Sequence, residues 1–285
     1  FIIIVFNIFL RLFGIGFPMY TMQDIEIGSK GFFYAGNEIS ATLLIISSFL
    51  MYWFRLYNKL GLFIFIGFLA IFTGLYITSK TAILGTIFTF IYFLFLMSRR
   101  NILTIRSLFI YIFFFFICMP IGGYFVVDYL ESSDIMRRFS FFWDRLDIYT
   151  FILSNRNTFL FDMIEIFKEK YNILEMLIGV GQSTFESLNN DHIIELDFFD
   201  IYFAYGLIGV FLFVLYTLFI LIKAKLKAFS SNMFVFSSYT IYIALLLIVL
   251  SFLSGHIFNS GMAAVFIGCV FALMYYNSNY ENKIS

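Results

Sequence analysis

Long uncharged stretches recur along this chain, and they constrain its fold more than any other feature. Residues 39–54, 60–77, 81–98 and 107–127 are apolar and contain no Asp, Glu, Lys or Arg. After a long polar segment the pattern returns at 201–222, in a run within 228–254, and from about 257 to 276. Residues 1–18 read as a partial or full first span, interrupted by Arg11. A helix needs about 20 mostly apolar residues to cross a bilayer. The run 39–54 is slightly short, but Arg55 at its end can snorkel to the interface. The sequence therefore predicts an all-α fold, a polytopic transmembrane bundle of about eight spans. Composition agrees, with 62% hydrophobic and 13% charged residues, where soluble domains carry roughly 25% charge. Residues 1–285 then form a single integral membrane domain. Phe1 already lies inside an apolar run and is not a Met, so the expectation is a truncated N-terminus with earlier spans missing. The two cysteines, Cys118 and Cys269, lie in apolar runs and read as small core residues. A net charge of zero gives no basic surface for nucleic acid.

One segment breaks the pattern. Residues 128–200 hold 14 of the 18 acidic residues. The short loops between the uncharged runs hold basic groups instead, Arg55 with Lys59, Arg99 and Arg100 with Arg106, and Lys223 with Lys225 and Lys227. If eight spans alternate, these three short loops share one side, which the positive-inside rule makes cytoplasmic. The C-terminus joins them. The opposite side receives the connector 20–37, the turn at Lys80, the large loop 128–200 and the turn at 254–256. No Asp, Glu, Lys or Arg sits mid-span in the later helices, where ion- and proton-coupled transporters usually place ionisable groups.

The loop contains the candidate site. Residues 157–171 read as a helix on the membrane surface, with Leu160, Met163, Ile164, Phe167 and Tyr171 on one face. Ser154 or Asn155 can cap its start. Arg156 then stands at a helix N-terminus, where free N–H groups and the dipole favour an anion. The guanidinium suits phosphate, and the plainer alternative is that Arg156 pairs with a loop acid. Gly179-Val180-Gly181 most often marks a turn and lacks the ending of a P-loop. His192, Glu195, Asp197 and Asp200 are dense in acid and could supply a general base or metal ligands. The plainer alternative is a hydrated helix entrance with solvated carboxylates. Lys80 could hold phosphate or balance charge, and a lone His256 is more often an interface residue than a catalyst. Asn37-Glu38 reads as a helix cap.

Taken in order, several short stretches resemble the O-antigen polymerase and O-antigen ligase superfamily of bacterial envelope glycan enzymes. They are Ala35-Gly36-Asn37-Glu38, Thr78-Ser79-Lys80-Thr81-Ala82, Ser154-Asn155-Arg156 and Leu177-Ile178-Gly179-Val180-Gly181. Glu195-Leu196-Asp197-Phe198-Phe199-Asp200 runs on into Tyr205-Gly206-Leu207-Ile208-Gly209, and Ser254-Gly255-His256 closes the set. The resemblance implies a glycosyltransferase in the bacterial cytoplasmic (inner) membrane, with its site on the outer, periplasmic face. Its substrate would be an undecaprenyl-pyrophosphate-linked oligosaccharide. Membrane lipid, a chain-length regulator and a flippase of the same pathway would be its partners. The family's loop arginine falls on Arg156, which would bind pyrophosphate with help from Lys80, and His256 is a further substrate-binding candidate. The family commonly has arginine where Lys80 stands. Ligases carry a loop histidine usually followed by Asn, whereas Ile193 follows His192, and the Glu-x-Asp-Phe-Phe-Asp form looks more like the polymerases.

The resulting expectation is a polysaccharide polymerase that adds the glycan to another lipid-linked repeat unit. Glu195, Asp197 or His192 would contact or deprotonate the acceptor, and no metal or other cofactor is required. The alternatives are a ligase that transfers the glycan to lipid A-core and, in another class, a lipid-linked oligosaccharide flippase. Sugar, linkage and destination (O-antigen, capsule or exopolysaccharide) stay open.

Overall fold

A computed structural model of the protein describes residues 1–22, 25–98, 150, 153, 156–189, 193–230, 234–253, 255 and 257–277. The chain divides into two compact units, Phe1–Leu146 and Asp147–Ser285.

The first unit opens with α1 (Ile2–Phe9), continued by a 3-10 turn (Leu10–Phe13) that ends at Gly14 with φ 73°. Arg11 sits in that turn, where it pairs with Glu26 and donates to the Gly16 carbonyl at 2.8 Å. The first apolar run thus yields a helix of Ile2–Phe13, shorter than a span needs. The connector that follows adds a small hairpin to the all-α expectation. Its strands, β1 (Tyr20–Met22) and β2 (Ile25–Ile27), are antiparallel with Tyr20 opposite Ile27. Ser29 anchors it, its amide donating to the Tyr76 carbonyl at 3.1 Å and its hydroxyl to the Ile8 carbonyl at 2.7 Å.

Three long helices follow, α2 (Gly36–Leu56), α3 (Leu60–Ile77) and α4 (Lys80–Ser98), each packed on the other two. Small residues set how closely they approach, as in membrane helix pairs generally. Gly67 gives way to the Phe90 ring, and Gly74 faces Ala82 so closely that an added Cβ would stand 3.2 Å from its backbone. Buried hydroxyls bond to their own helix: Thr73 to Leu69 at 2.7 Å, Thr86 to Ala82 at 2.6 Å and Thr89 to Gly85 at 2.7 Å. They therefore carry no unsatisfied donor into the apolar interior. Two expectations fail here. Asn37 and Glu38 do not cap α2, whose N-cap position is Ala35 with no side-chain bond. Arg55 does not snorkel; it is 8% exposed, with its guanidinium over the rings of Tyr52 at 5.4 Å and Phe93 at 5.9 Å. The ring faces attract the cation and replace part of its hydration.

The second unit contains α5 (Arg156–Lys170), α6 (Ile173–Ile178), α7 (Gln182–Leu188), the long α8 (Asp197–Ser230), α9 (Ser237–Leu253) and α10 (Gly261–Ala272). The face foreseen on α5 packs inward. Met163 and Tyr171 are buried with Phe185, Ile194, Leu196 and Phe203, and Leu160, Ile164 and Phe167 lie against them. Helix α6 starts in a capping box, in which Asn172 and Glu175 each accept the other's amide at 2.9 Å.

Helix α8 kinks at Gly206, whose φ of 66° and ψ of −165° no helix contains. The Leu177–Gly181 segment threads against this kink. A Cβ on Gly206 would stand 2.5 Å from the Leu177 carbonyl, and one on Gly179 would collide with the Ala204 carbonyl. Two carbonyls just before the kink accept from outside the helix. Ala204 takes the Gly181 amide at 2.8 Å, and Phe203 takes the Tyr171 hydroxyl at 3.1 Å. Burial first, then the nearby Glu175 charge, pushes the Tyr171 hydroxyl up to about 12, so it remains a donor. The two glycines of Gly179-Val180-Gly181 thus serve a backbone-to-backbone approach and a hydrogen bond.

Among the described residues, four helices are long and apolar enough to cross a membrane: Gly36–Leu56, Leu60–Ile77, Lys80–Met97 and Asp197–Phe229. Ile2–Phe13, Ser237–Leu253 and Gly261–Tyr275 are shorter apolar helices. The run 107–127 lies outside the described residues. The architecture is that of a helical membrane protein.

Gly206→Ala is expected to destabilise the purified protein by roughly 1–3 kcal/mol, because the conformation and the facing backbone both reject a Cβ. Gly268→Ala, with nothing within 4 Å of the added atom, should change little. Thermal unfolding in detergent compares the two.

Candidate active site

The candidate residues in the second unit gather around Arg156, the first residue of α5. Its guanidinium is largely buried, at 10% side-chain exposure, and meets the Glu195 side chain, which is 39% exposed. Both Nε (3.2 Å) and Nη2 (2.7 Å) donate to one oxygen, Oε2. The plainer reading of Arg156, a pair with a loop acid, is therefore present. Arg156 is also the first residue of its helix, and backbone amides and the dipole at such an end favour an anion. Ser154 and Asn155, the expected caps, lie outside the described residues.

Glu195 reaches Arg156 from an unusual backbone. Its φ is 62°, left-handed for a residue with a Cβ, and such a conformation persists only where surroundings enforce it. Three contacts enforce it. Asp200 accepts the Ile194 amide on Oδ1 at 3.0 Å. Leu196 turns its carbonyl onto the amides of Phe199 and Asp200, both at 2.9 Å. Gly255, itself at φ 50°, lies directly on the Glu195 peptide, where no Cβ would fit.

Asp197 ties the same turn to the segment before α10. It is fully buried, and its Oδ2 accepts the amides of Ile257 and Phe258, both at 2.9 Å. Asp200 is 1% exposed. The hydrated entrance with solvated acids does not form here. Both acids stand in the first turn of α8, but the chain closes over them and gives them amide partners. Glu195 is the acid of this group that retains substantial exposure.

Sequence reasoning thus brought Arg156, Glu195 and Asp197 into one region, and the structure brings them together with Gly255. It missed the fixing of Ile194 by Asp200 and the seat of Gly255 on the Glu195 peptide. Gly255 stood within a short motif, and its positive φ is the usual reason for such a glycine. Lys80 belongs to the first unit, where it opens α4 directly after Thr78 and Ser79. His192 and His256 lie outside the described residues. Among the described residues no group of three His, Cys, Asp or Glu side chains could hold a metal ion.

Asp197→Ala should cost about 2–4 kcal/mol, since it leaves the buried Ile257 amide and the half-buried Phe258 amide without their acceptor. Glu195→Gln, in a partly exposed pair, should cost within about 1 kcal/mol. Thermal unfolding of the two purified variants separates the buried brace from the exposed partner.

Residues 142–279 match the family model described as O-antigen ligase like membrane protein. The match contains the arginine at the start of α5, the interlocked glycines, the acidic turn and the segment before α10. No curated protein and no solved structure matches the chain. Residues 142–279, slightly under half of the chain, are thus similar to the O-antigen ligase like membrane proteins, and with the helical membrane architecture the match supports the O-antigen ligase and polymerase superfamily.

Proposed function

We propose that the protein is a bacterial envelope polysaccharide polymerase of the cytoplasmic membrane. It would transfer a glycan from an undecaprenyl-pyrophosphate carrier onto another lipid-linked repeat unit, at the outer face. The observation that carries this reading is the Arg156–Glu195 pair at the first turn of α5, within the family match.

In the reaction, the bond between the sugar anomeric carbon and the pyrophosphate oxygen breaks. A bond from that carbon to an acceptor hydroxyl forms, and the carrier leaves as the pyrophosphate. The enzyme's tasks are to stabilise the leaving charge, position the acceptor and remove its proton. Arg156 supplies the first. Arriving pyrophosphate brings more negative charge than one carboxylate and competes with Glu195 for the guanidinium. Glu195 is then released beside the donor, as a carboxylate able to take the acceptor proton. Donor binding and base release become one event. Asp197 and Asp200 act as positioning residues that hold the left-handed turn. His192 and His256 would assist at the acceptor end. Neither a metal nor a nucleotide enters this scheme.

Two features favour a polymerase over a ligase, the Glu195–Asp200 motif and the Ile that follows His192. The glycan ladder of cells separates them. Arg156→Ala, expressed at the normal level, should lose long chains and leave single repeat units on the acceptor. A bare acceptor would instead identify a ligase, and an unchanged ladder would remove Arg156 from the pyrophosphate site. Arg156→Lys, which keeps charge but not the planar fork, should retain a residual ladder.

A further inference from the structure

The short helix α6 has a face that nothing in the proposed reaction uses. Ile173, Leu174, Leu177 and Ile178 are 79, 63, 42 and 53% exposed. They lie at i, i+1, i+4 and i+5, one side of a helix. The other side faces the unit's core, where Met176 packs. Four large aliphatic side chains so grouped are a patch, not scattered surface residues.

Its position gives the occupant. The residues following α6 are locked to the kink of α8, where Gly206 leaves no room for a Cβ against Leu177 and Gly179. Beyond that kink α8, a helix long and apolar enough to cross a membrane, carries exposed apolar side chains, among them Leu207 at 52% and Ile208 at 50%. The α6 patch is therefore continuous with a surface that lipid covers. We infer that α6 is a lipid-embedded hook, its apolar face among acyl chains at the level where α8 enters the bilayer. It anchors the unit that carries Arg156 to the membrane surface. The polar capping box at Asn172 and Glu175 keeps the start of the helix at the headgroups, as in interfacial helices generally. The inference does not depend on the glycosyl-transfer reading.

The test uses the full chain with Cys118→Ala and Cys269→Ala, reconstituted in phosphatidylethanolamine and phosphatidylglycerol vesicles. Nitroxide labels are attached singly at Leu174→Cys, Ile178→Cys and Asp162→Cys, the last on the exposed side of α5. Power saturation compares collisions with oxygen, which partitions into acyl chains, and with a water-soluble nickel chelate. A hook gives an oxygen-to-nickel ratio at 174 and 178 several-fold above that at 162. Equal ratios at all three positions place the face in water and overturn the inference. Low collision rates with both reagents at 174 and 178 show that protein covers the face, and overturn it equally. Thermal unfolding of each labelled protein at the temperature of the unlabelled Cys118→Ala, Cys269→Ala parent verifies that the unit stays folded.

Discussion

The approach of two backbones, at Gly179 and Gly206, is the constraint on which the second unit depends. A loop segment lies this close to a long apolar helix only if side-chain atoms are missing on both sides, and here both are. The contact bends α8, turns the Phe203 and Ala204 carbonyls toward donors on the loop, and gives Tyr171 and Gly181 their partners. It also fixes where the core of α5, α6 and α7 rests, and so where α5 begins. The first turn of that helix carries Arg156. A pair of glycines with no chemistry of their own thus sets the position of the residue with the most.

Around Arg156, structure and chemistry share the same groups. A largely buried guanidinium needs a counter-charge, since desolvation is costly when it is unmet. Glu195 meets that need through one oxygen and from a strained backbone. Strain of this kind is held by neighbours, here Asp200, Asp197 and Gly255 acting on adjacent residues of one turn. The pair is partly exposed, so its strength is modest. A modest pair in a well-held frame can be exchanged by a multiply charged ligand without disturbing the frame.

Much of this was legible in the sequence. The uncharged runs gave α2, α3, α4 and α8, and the spacing of Leu160, Met163, Ile164, Phe167 and Tyr171 gave the inward face of α5. The acidic cluster and Arg156 marked the site region. What could not be read follows from burial by distant segments. Asp197 looked solvated because the amides that bury it come from residues 257 and 258, far along the chain. Arg55 looked like a snorkelling residue because its aromatic partner Phe93 lies on another helix. Gly179 and Gly181 read as a turn because their partner, the kink at Gly206, is visible only in three dimensions. The hairpin at Tyr20–Ile27 escaped because its strands are too short to show a period.

The central claim is that pyrophosphate and Glu195 compete for Arg156. Its most direct measurement is the affinity of the purified protein for undecaprenyl pyrophosphate, read by native mass spectrometry from mixed micelles. Removing the competitor with Glu195→Gln should raise affinity about three- to tenfold, in keeping with the modest free energy of a partly exposed pair. Arg156→Ala should abolish the binding, alone or with Glu195→Gln. Equal affinity in the wild type, Glu195→Gln and Arg156→Ala would contradict the claim and leave the pair a structural contact.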